Sequence, residues 1–235
     1  MKREEMFSIV KNHFDETKMY RYVDDLRFRP EDEYGVLIEP LLFDDFSVFY
    51  SKNVQYSDAG CSKWVLQLKS LPGWVVKIPF QGYRKYKDDE CLDEYEDFIF
   101  KGAGNEIDDW DYCLRELEVY LEAKERNLEK FFPETLYLGD YHDLPIYAAE
   151  EMNDYYNGEG IKCGSKYSNT ISAQHNFMVS PAHIEELLES GVMEEEIHSL
   201  LDFFTECNVG DFHNDNFGWD KEGHLRFIDF SDFNE

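Results

Sequence analysis

With 235 residues, the chain is long enough for one large domain or two small lobes. It holds 51 acidic against 23 basic side chains, a formal net charge of −28, which argues against charge-driven binding to nucleic acid or to an anionic membrane. A composition that is 43% hydrophobic and 17% aromatic excludes wholesale disorder, and such an acidic surface either keeps the protein soluble or attracts a basic partner.

The opening "MKREEMFSIVKNHF" is charged and has no long apolar run, so no signal peptide is expected. Met6, Ile9, Val10 and Phe14 are spaced for a helix. After Pro30 the texture changes. Residues 34–80 are rich in Val, Phe, Tyr and Trp broken by turn residues, which predicts several antiparallel strands. "KWVLQLK" and "WVVKIPF" read as one hairpin closed by "SLPGW". Residues 81–111 are acid-rich and read as a surface excursion. A helix is expected over 111–132, capped by Asp111, ended by Pro133, with Leu114, Leu117 and Tyr120/Leu121 as its apolar stripe. Residues 134–152 read as two strands about "GDYHD", and 153–180 as a polar linker. Helices follow at 181–190, with Ser180 as cap and Pro181 at the first position, and at 193–207. A short strand is expected around Leu225, Phe227 and Ile228. No segment reaches the roughly 18 apolar residues of a membrane span. The five cysteines, Cys61, Cys91, Cys113, Cys163 and Cys207, are scattered and lack CxxC spacing, so reduced thiols in a cytoplasmic protein are expected.

The layout is α+β, with a boundary at 152–156 separating a first lobe (1–152) from a second (153–235). Candidate chemistry clusters late in the chain. In "GDFHNDNFGWDKEGHLRFIDFSD" Asp211 and Asn216 are five residues apart in a loop after a helix, and Asp229 follows thirteen residues later at the end of a short apolar strand.

This arrangement resembles the protein-kinase-like superfamily, whose catalytic loop carries D-x-x-x-x-N and whose DFG segment holds magnesium. Asp211 and Asn216 match the first, and Asp229 with Phe230 the second. Upstream, Lys77 in "WVVKIP" matches the lysine of V-A-I-K, and the helix from 111 stands where the family places its αC helix. Glu116 is the match for that helix's glutamate and Glu118 the rival. The two point roughly 200° apart, so only one can face Lys77. "YSDAGCSKWV" lies where the phosphate-covering loop belongs, with Gly60 its only glycine and Ser57, Cys61 and Ser62 around it. "YAAEEMN" resembles the hinge that binds adenine, with Ala148 or Ala149 leaving room and Glu151 close by.

The resemblance implies a two-lobed fold, with an antiparallel-sheet N-lobe and a truncated, mainly helical C-lobe. It implies an ATP- and Mg2+-dependent phosphotransferase acting on a Ser, Thr or Tyr hydroxyl of a protein. Lys77 would hold the α/β-phosphates and Glu116 would hold Lys77. Asp211 would orient the acceptor hydroxyl and take its proton, while Asn216 and Asp229 would bind magnesium. Departures are specific. Val209 and Gly210 replace His-Arg before Asp211, and Ser231 replaces the DFG glycine. His213 gives the loop a likeness to aminoglycoside and choline kinase-like enzymes, hence an alternative small-molecule acceptor. A pseudokinase or acidic interaction protein that binds a basic partner is the other alternative. The sequence ends at Glu235, so no activation segment, A-P-E or later helices are expected, and an exposed remnant of that lobe would favour homo-oligomers. The resemblance also implies a bacterial or viral origin and a cytoplasmic site of action, the host's if viral.

Overall fold

Helix α1 (Arg3–Glu16) follows from its spacing. Met6, Val10 and Phe14 recur every fourth residue and are buried, while Glu4 and Glu5 occupy the first turn, where the helix dipole favours negative charge. The computed structural model describes residues 1–17, 47–59, 63–79, 112–141, 144–154, 164–210, 212 and 214–230. The expected excursion at 81–111, including the cap Asp111, lies outside them.

Within the stretch expected to be strands, Ser47–Tyr50 form a single helical turn, α2. Buried Val48 and a hydrogen bond from His13 Nε2 to the Val48 carbonyl, 2.8 Å, hold it against α1. Five strands then make an antiparallel sheet in the order β1-β2-β3-β5-β4: β1 (Val54–Ala59), β2 (Lys63–Leu68), β3 (Trp74–Pro79), β4 (Thr135–Tyr141) and β5 (Leu144–Glu150). The expected β2–β3 hairpin is present, and Gly73 (φ +83°) supplies the left-handed residue its turn needs. Leu66 faces Val76 and Trp64 faces Ile78 across it, and these pack with α1, Leu138, Ile146 and Ala148 in one core. Strand alternation puts Lys63, Val65 and Lys77 on the opposite face.

Helix α3 (Tyr112–Glu125) forms where expected but is shorter and rotated. Its buried face is Cys113, Glu116, Val119, Tyr120 and Ala123, whereas Leu114 and Leu121 are exposed. The expected leucine stripe is therefore corrected: the helix turns a mixed face inward, with a carboxylate in it. Asn127 (φ +59°) ends the helix through bonds from Asn127 N–H to Lys124 O and from Leu128 N–H to Ala123 O, so Pro133 is not its stop.

The polar linker expected at 153–180 is also corrected. Asn153–Asp154 form β6, and Lys166–Gln174 form α4, capped by Ser165, whose side chain accepts from Ser168 N–H. Helix α5 (Pro181–Glu189) has the expected Ser180 cap, and α6 (Glu194–Glu206) follows. β6 pairs with β7 (Phe217–Trp219), and β7 with β8 (Leu225–Phe227), in a small antiparallel sheet. Gly218 is required there, because a Cβ would come within 2.7 Å of Met152 Cβ.

The protein is thus α+β, in two compact units: residues 1–115 with 136–149, and residues 116–135 with 150–235. The chain passes between them at 115/116, 135/136 and 149/150, where the sequence reading places a single boundary at 152–156. Val119, Tyr120 and Ala123 of α3 belong to the second unit's core with Phe131, Phe132, Phe203 and Phe204. Among the described residues, no helix is long and apolar enough to cross a membrane, and Cys113 and Cys207 are thiols.

Candidate functional site

The second unit builds its site on the end of α6. Asn208 (φ +52°) reverses the chain, with Asn208 N–H bonded to Thr205 O and Val209 N–H to Phe204 O at 2.8 Å. Val209 and Gly210 are buried, so the loop leaves the helix from a fixed point. Asp211 and His213 lie outside the described residues. Between them Phe212 packs on Phe204 (4.6 Å between ring centroids) and Phe227 (5.8 Å), which ties the loop to the core. A 3-10 turn over Asn214–Asn216 then leads into β7.

The β7–β8 hairpin brings two of the sequence candidates together. Phe217 faces Phe227 across the ladder, and one step further Ile228 N–H donates to the Asn216 carbonyl at 2.9 Å. Asn216 is buried and Asp229, the next residue after Ile228, is half-buried. Phe230 is buried in the core, 4.9 Å from Phe132 in an edge-to-face contact, and so anchors the backbone just past Asp229. Between them Asn216 and Asp229 offer hard oxygen donors, an amide carbonyl and a carboxylate, and residues 210–230 contain no cysteine. That donor set fits magnesium and not a thiophilic metal.

At the other end of the hairpin sits Asp220, only 5% exposed. Its carboxylate accepts from the backbone N–H groups of Glu222 (3.0 Å) and His224 (2.8 Å), from His224 Nδ1 (3.1 Å) and from the Arg226 guanidinium. Burial alone would raise its pKa, but these bonds and the guanidinium charge hold it below the ordinary carboxylate value. Asp220, Glu222 and His224 lie close enough to share a cation. Asp220's oxygens already serve the turn, which makes it a structural group.

In the first unit, Lys77 sits on β3 opposite Val65 and is 5% exposed. The same face carries a second buried lysine, Lys63, also 5% exposed, opposite Pro79. Strand alternation in β5, where Ile146 and Ala148 face the core, turns Tyr147 and Ala149 to the other side. Ser57 is half-buried on β1, and Gly60 and Ser62 lie outside the described residues. Glu151 is half-buried in the segment between β5 and β6. In α3 the two rival glutamates separate clearly: Glu116 is 0% exposed and Glu118 is on the surface.

No protein-family model matches the chain, and no curated protein matches it at a significant level. The site's residues must therefore speak through their chemistry.

Two residues escape the sequence reading. Lys63 is the first, although its place two positions before Val65 in an alternating strand marks it as sharing Lys77's face. The second is His183, on the first turn of α5 and 1% exposed. Its ring stacks on Phe217 at 3.7 Å and 18°, and its Nδ1 lies 2.9 Å from Ser180 Oγ. Burial pushes its pKa down to about 4, with a smaller opposing pull from Asn214, so it is neutral at pH 7. The signal available in sequence was the S-P-A-H cap, which places His183 three residues after Ser180.

Proposed function

We propose that the protein is an ATP- and magnesium-dependent phosphotransferase whose acceptor is a hydroxyl group on a protein. The observation that carries this reading is the pairing of Ile228 with Asn216, which sets an amide and the Asp229 carboxylate on neighbouring strand ends of one hairpin. Both residue types, and their order after a loop aspartate, are those that hold magnesium in protein-kinase-like enzymes. The sheet adds support. Lys77 falls on the third strand, where that superfamily carries its phosphate-binding lysine, and the helix with a buried glutamate comes next among the described elements.

In this reading the β2–β3–β5 face bearing Lys77 and Ala149 receives the nucleotide. Val65 and Ala149 give the base an apolar surface with little bulk, and the Lys77 ammonium binds α/β-phosphate oxygens. Glu116 is fully buried in α3, and a carboxylate with no exposed surface requires a cation or donors beside it. Asn216 and Asp229 would hold magnesium, which when bound offsets the charge on the phosphate oxygens. Asp211 orients the acceptor hydroxyl and accepts its proton, leaving Phe212 to tether the loop that carries it.

The test is thermal melting of the full chain with ATP alone, magnesium alone and both together. Stabilisation by the pair beyond either component is expected, because a ligand that binds only the native state raises its stability. Labelled ATP incubated with a cell lysate, and separately with aminoglycosides, then identifies the acceptor class. Binding without transfer to any acceptor would leave a nucleotide-binding pseudokinase, and no binding would sink the phosphotransferase reading.

A further inference from the structure

Lys63 and Lys77 are each only 5% exposed, in a chain with 51 acidic and 23 basic side chains. Register puts them on one face. Lys63 is opposite Pro79 and Val65 is opposite Lys77, so the two lysines are diagonal neighbours on adjacent strands. Such positions lie about 7–8 Å apart. Lys63 and Pro79 form the pair furthest from the Gly73 turn, and Lys77 comes two residues before Pro79, so both cations lie toward the open end of the hairpin. The other side chains that β2, β3 and β5 turn to this face are uncharged, Val65, Gln67, Tyr147 and Ala149 among them. On β1, Asp58 stands in register with Val65.

We propose that Lys63 is a second phosphate-binding cation, taking oxygens of the same polyphosphate chain as Lys77 and giving the site a preference for a triphosphate over a less charged ligand. The proposal rests on the phosphotransferase reading, which puts the nucleotide on this face. A surface lysine lays its stem on the sheet and keeps its ammonium in water, and neither of these two has the exposure for that. Two like charges set side by side away from water repel each other, and an anion between them replaces that repulsion by attraction to a common ligand. One lysine suits one phosphoryl group. Two on a diagonal suit a chain of them, since the flexible four-carbon stems let each ammonium reach a neighbouring group. The competing role for Lys63 is a fixed ion pair inside the sheet.

The experiment uses the full-length protein with Lys63→Met, Lys63→Arg and Lys77→Met, in fixed excess magnesium. For each, the concentration giving half-maximal thermal stabilisation is measured with ATP, with adenosine and with inorganic tripolyphosphate. At a net charge of −28 the chain as a whole repels polyanions, so saturable stabilisation by tripolyphosphate reports a local site. Loss of one charge-assisted contact predicts a rise of about tenfold or more for ATP and tripolyphosphate in Lys63→Met, with adenosine unchanged. Lys77→Met shows the same pattern, and Lys63→Arg, which keeps the charge, restores most of the ATP value. Where Lys63→Met melts too early to titrate, Lys63→Gln takes its place with the same expectations. An unchanged ATP value in the uncharged Lys63 variant would overturn the proposal. So would a lower melting temperature without ligand joined to equal weakening of ATP and adenosine, the mark of a fixed ion pair. If magnesium and ATP together fail to stabilise the unmodified protein, the phosphotransferase reading fails. Tripolyphosphate stabilisation that depends on Lys63 would then keep the anion site, and its absence would remove that as well.

Discussion

The two ends of the β7–β8 hairpin carry aspartates nine residues apart that live in opposite circumstances. Asp220 at the turn end is enclosed by two backbone N–H groups, an imidazole and a guanidinium. Asp229 at the open end is half-buried, beside Asn216 and in front of a core phenylalanine. A carboxylate whose lone pairs are spent on its own turn holds the fold together. The other, set between a hairpin pairing and a core ring, is the carboxylate to which the proposed function assigns magnesium. Sequence treats the two alike, and their surroundings separate them.

The contrast breaks first on activity. Asp229→Ala should lower phosphotransfer from labelled ATP by about a thousandfold or more while leaving the melting temperature in place. Full activity in that variant would remove Asp229 from the chemistry. Asp220→Ala should do the reverse. Taking away a buried carboxylate that pairs with Arg226 costs about 3 kcal/mol, read as an earlier urea midpoint. An unchanged midpoint would make the turn end dispensable. His183, stacked on Phe217 behind the open end, titrates on its own. His183 is held near pKa 4 against an unfolded value of 6.5, so the unfolded chain binds a proton that the native one refuses. Its contribution is complete above pH 6.5 and is lost as pH falls toward 4, about 3 kcal/mol across that window. Urea melts at pH 7 and 4.5 should therefore diverge, and His183→Gln should narrow the gap; a gap of the same width would show that other groups dominate. The smallest effect belongs to Glu222, on the exposed rim of the turn, where replacement by Ala should shift stability by less than about 0.5 kcal/mol. A larger loss, or stabilisation of the unmodified protein by calcium that vanishes in Glu222→Ala, would make the turn end a cation site.

Much of the fold was legible because periodicity and punctuation agreed. The 63–69 and 74–80 hairpin had alternation and a Pro-Gly turn, and α5 had a serine cap followed by proline. Helix α4 was not legible. Its buried face is Ser168, Ile171 and Ser172, so one apolar residue carries what a stripe usually signals, and Ser172 is accommodated by bonding to the Val179 carbonyl at 2.6 Å. The inward face of α3 departs from the expected one for a related reason. Glu116 occupies a buried position that pattern reading assigns to a hydrophobe, which moved the expected stripe onto Leu114 and Leu121. A charged residue in a core is a local inconsistency, and such inconsistencies concentrate where a protein has something to do. For the site, the spacing of Asn216 and Asp229 could be read from the chain. The Ile228–Asn216 bond that joins them and the stacking of His183 on Phe217 required the third dimension.

Phe230 deserves a final consequence. Its ring is held among Phe132 and the aromatic residues of α6 and β8, and one peptide bond separates it from Asp229. The carboxylate's bearing is thus inherited from packed aromatic rings, and interiors as dense as organic crystals leave a shifted ring little room. Enlarging or trimming Phe132 would steer a group it never touches, so drift in this packing during evolution would be policed by chemistry as well as by folding.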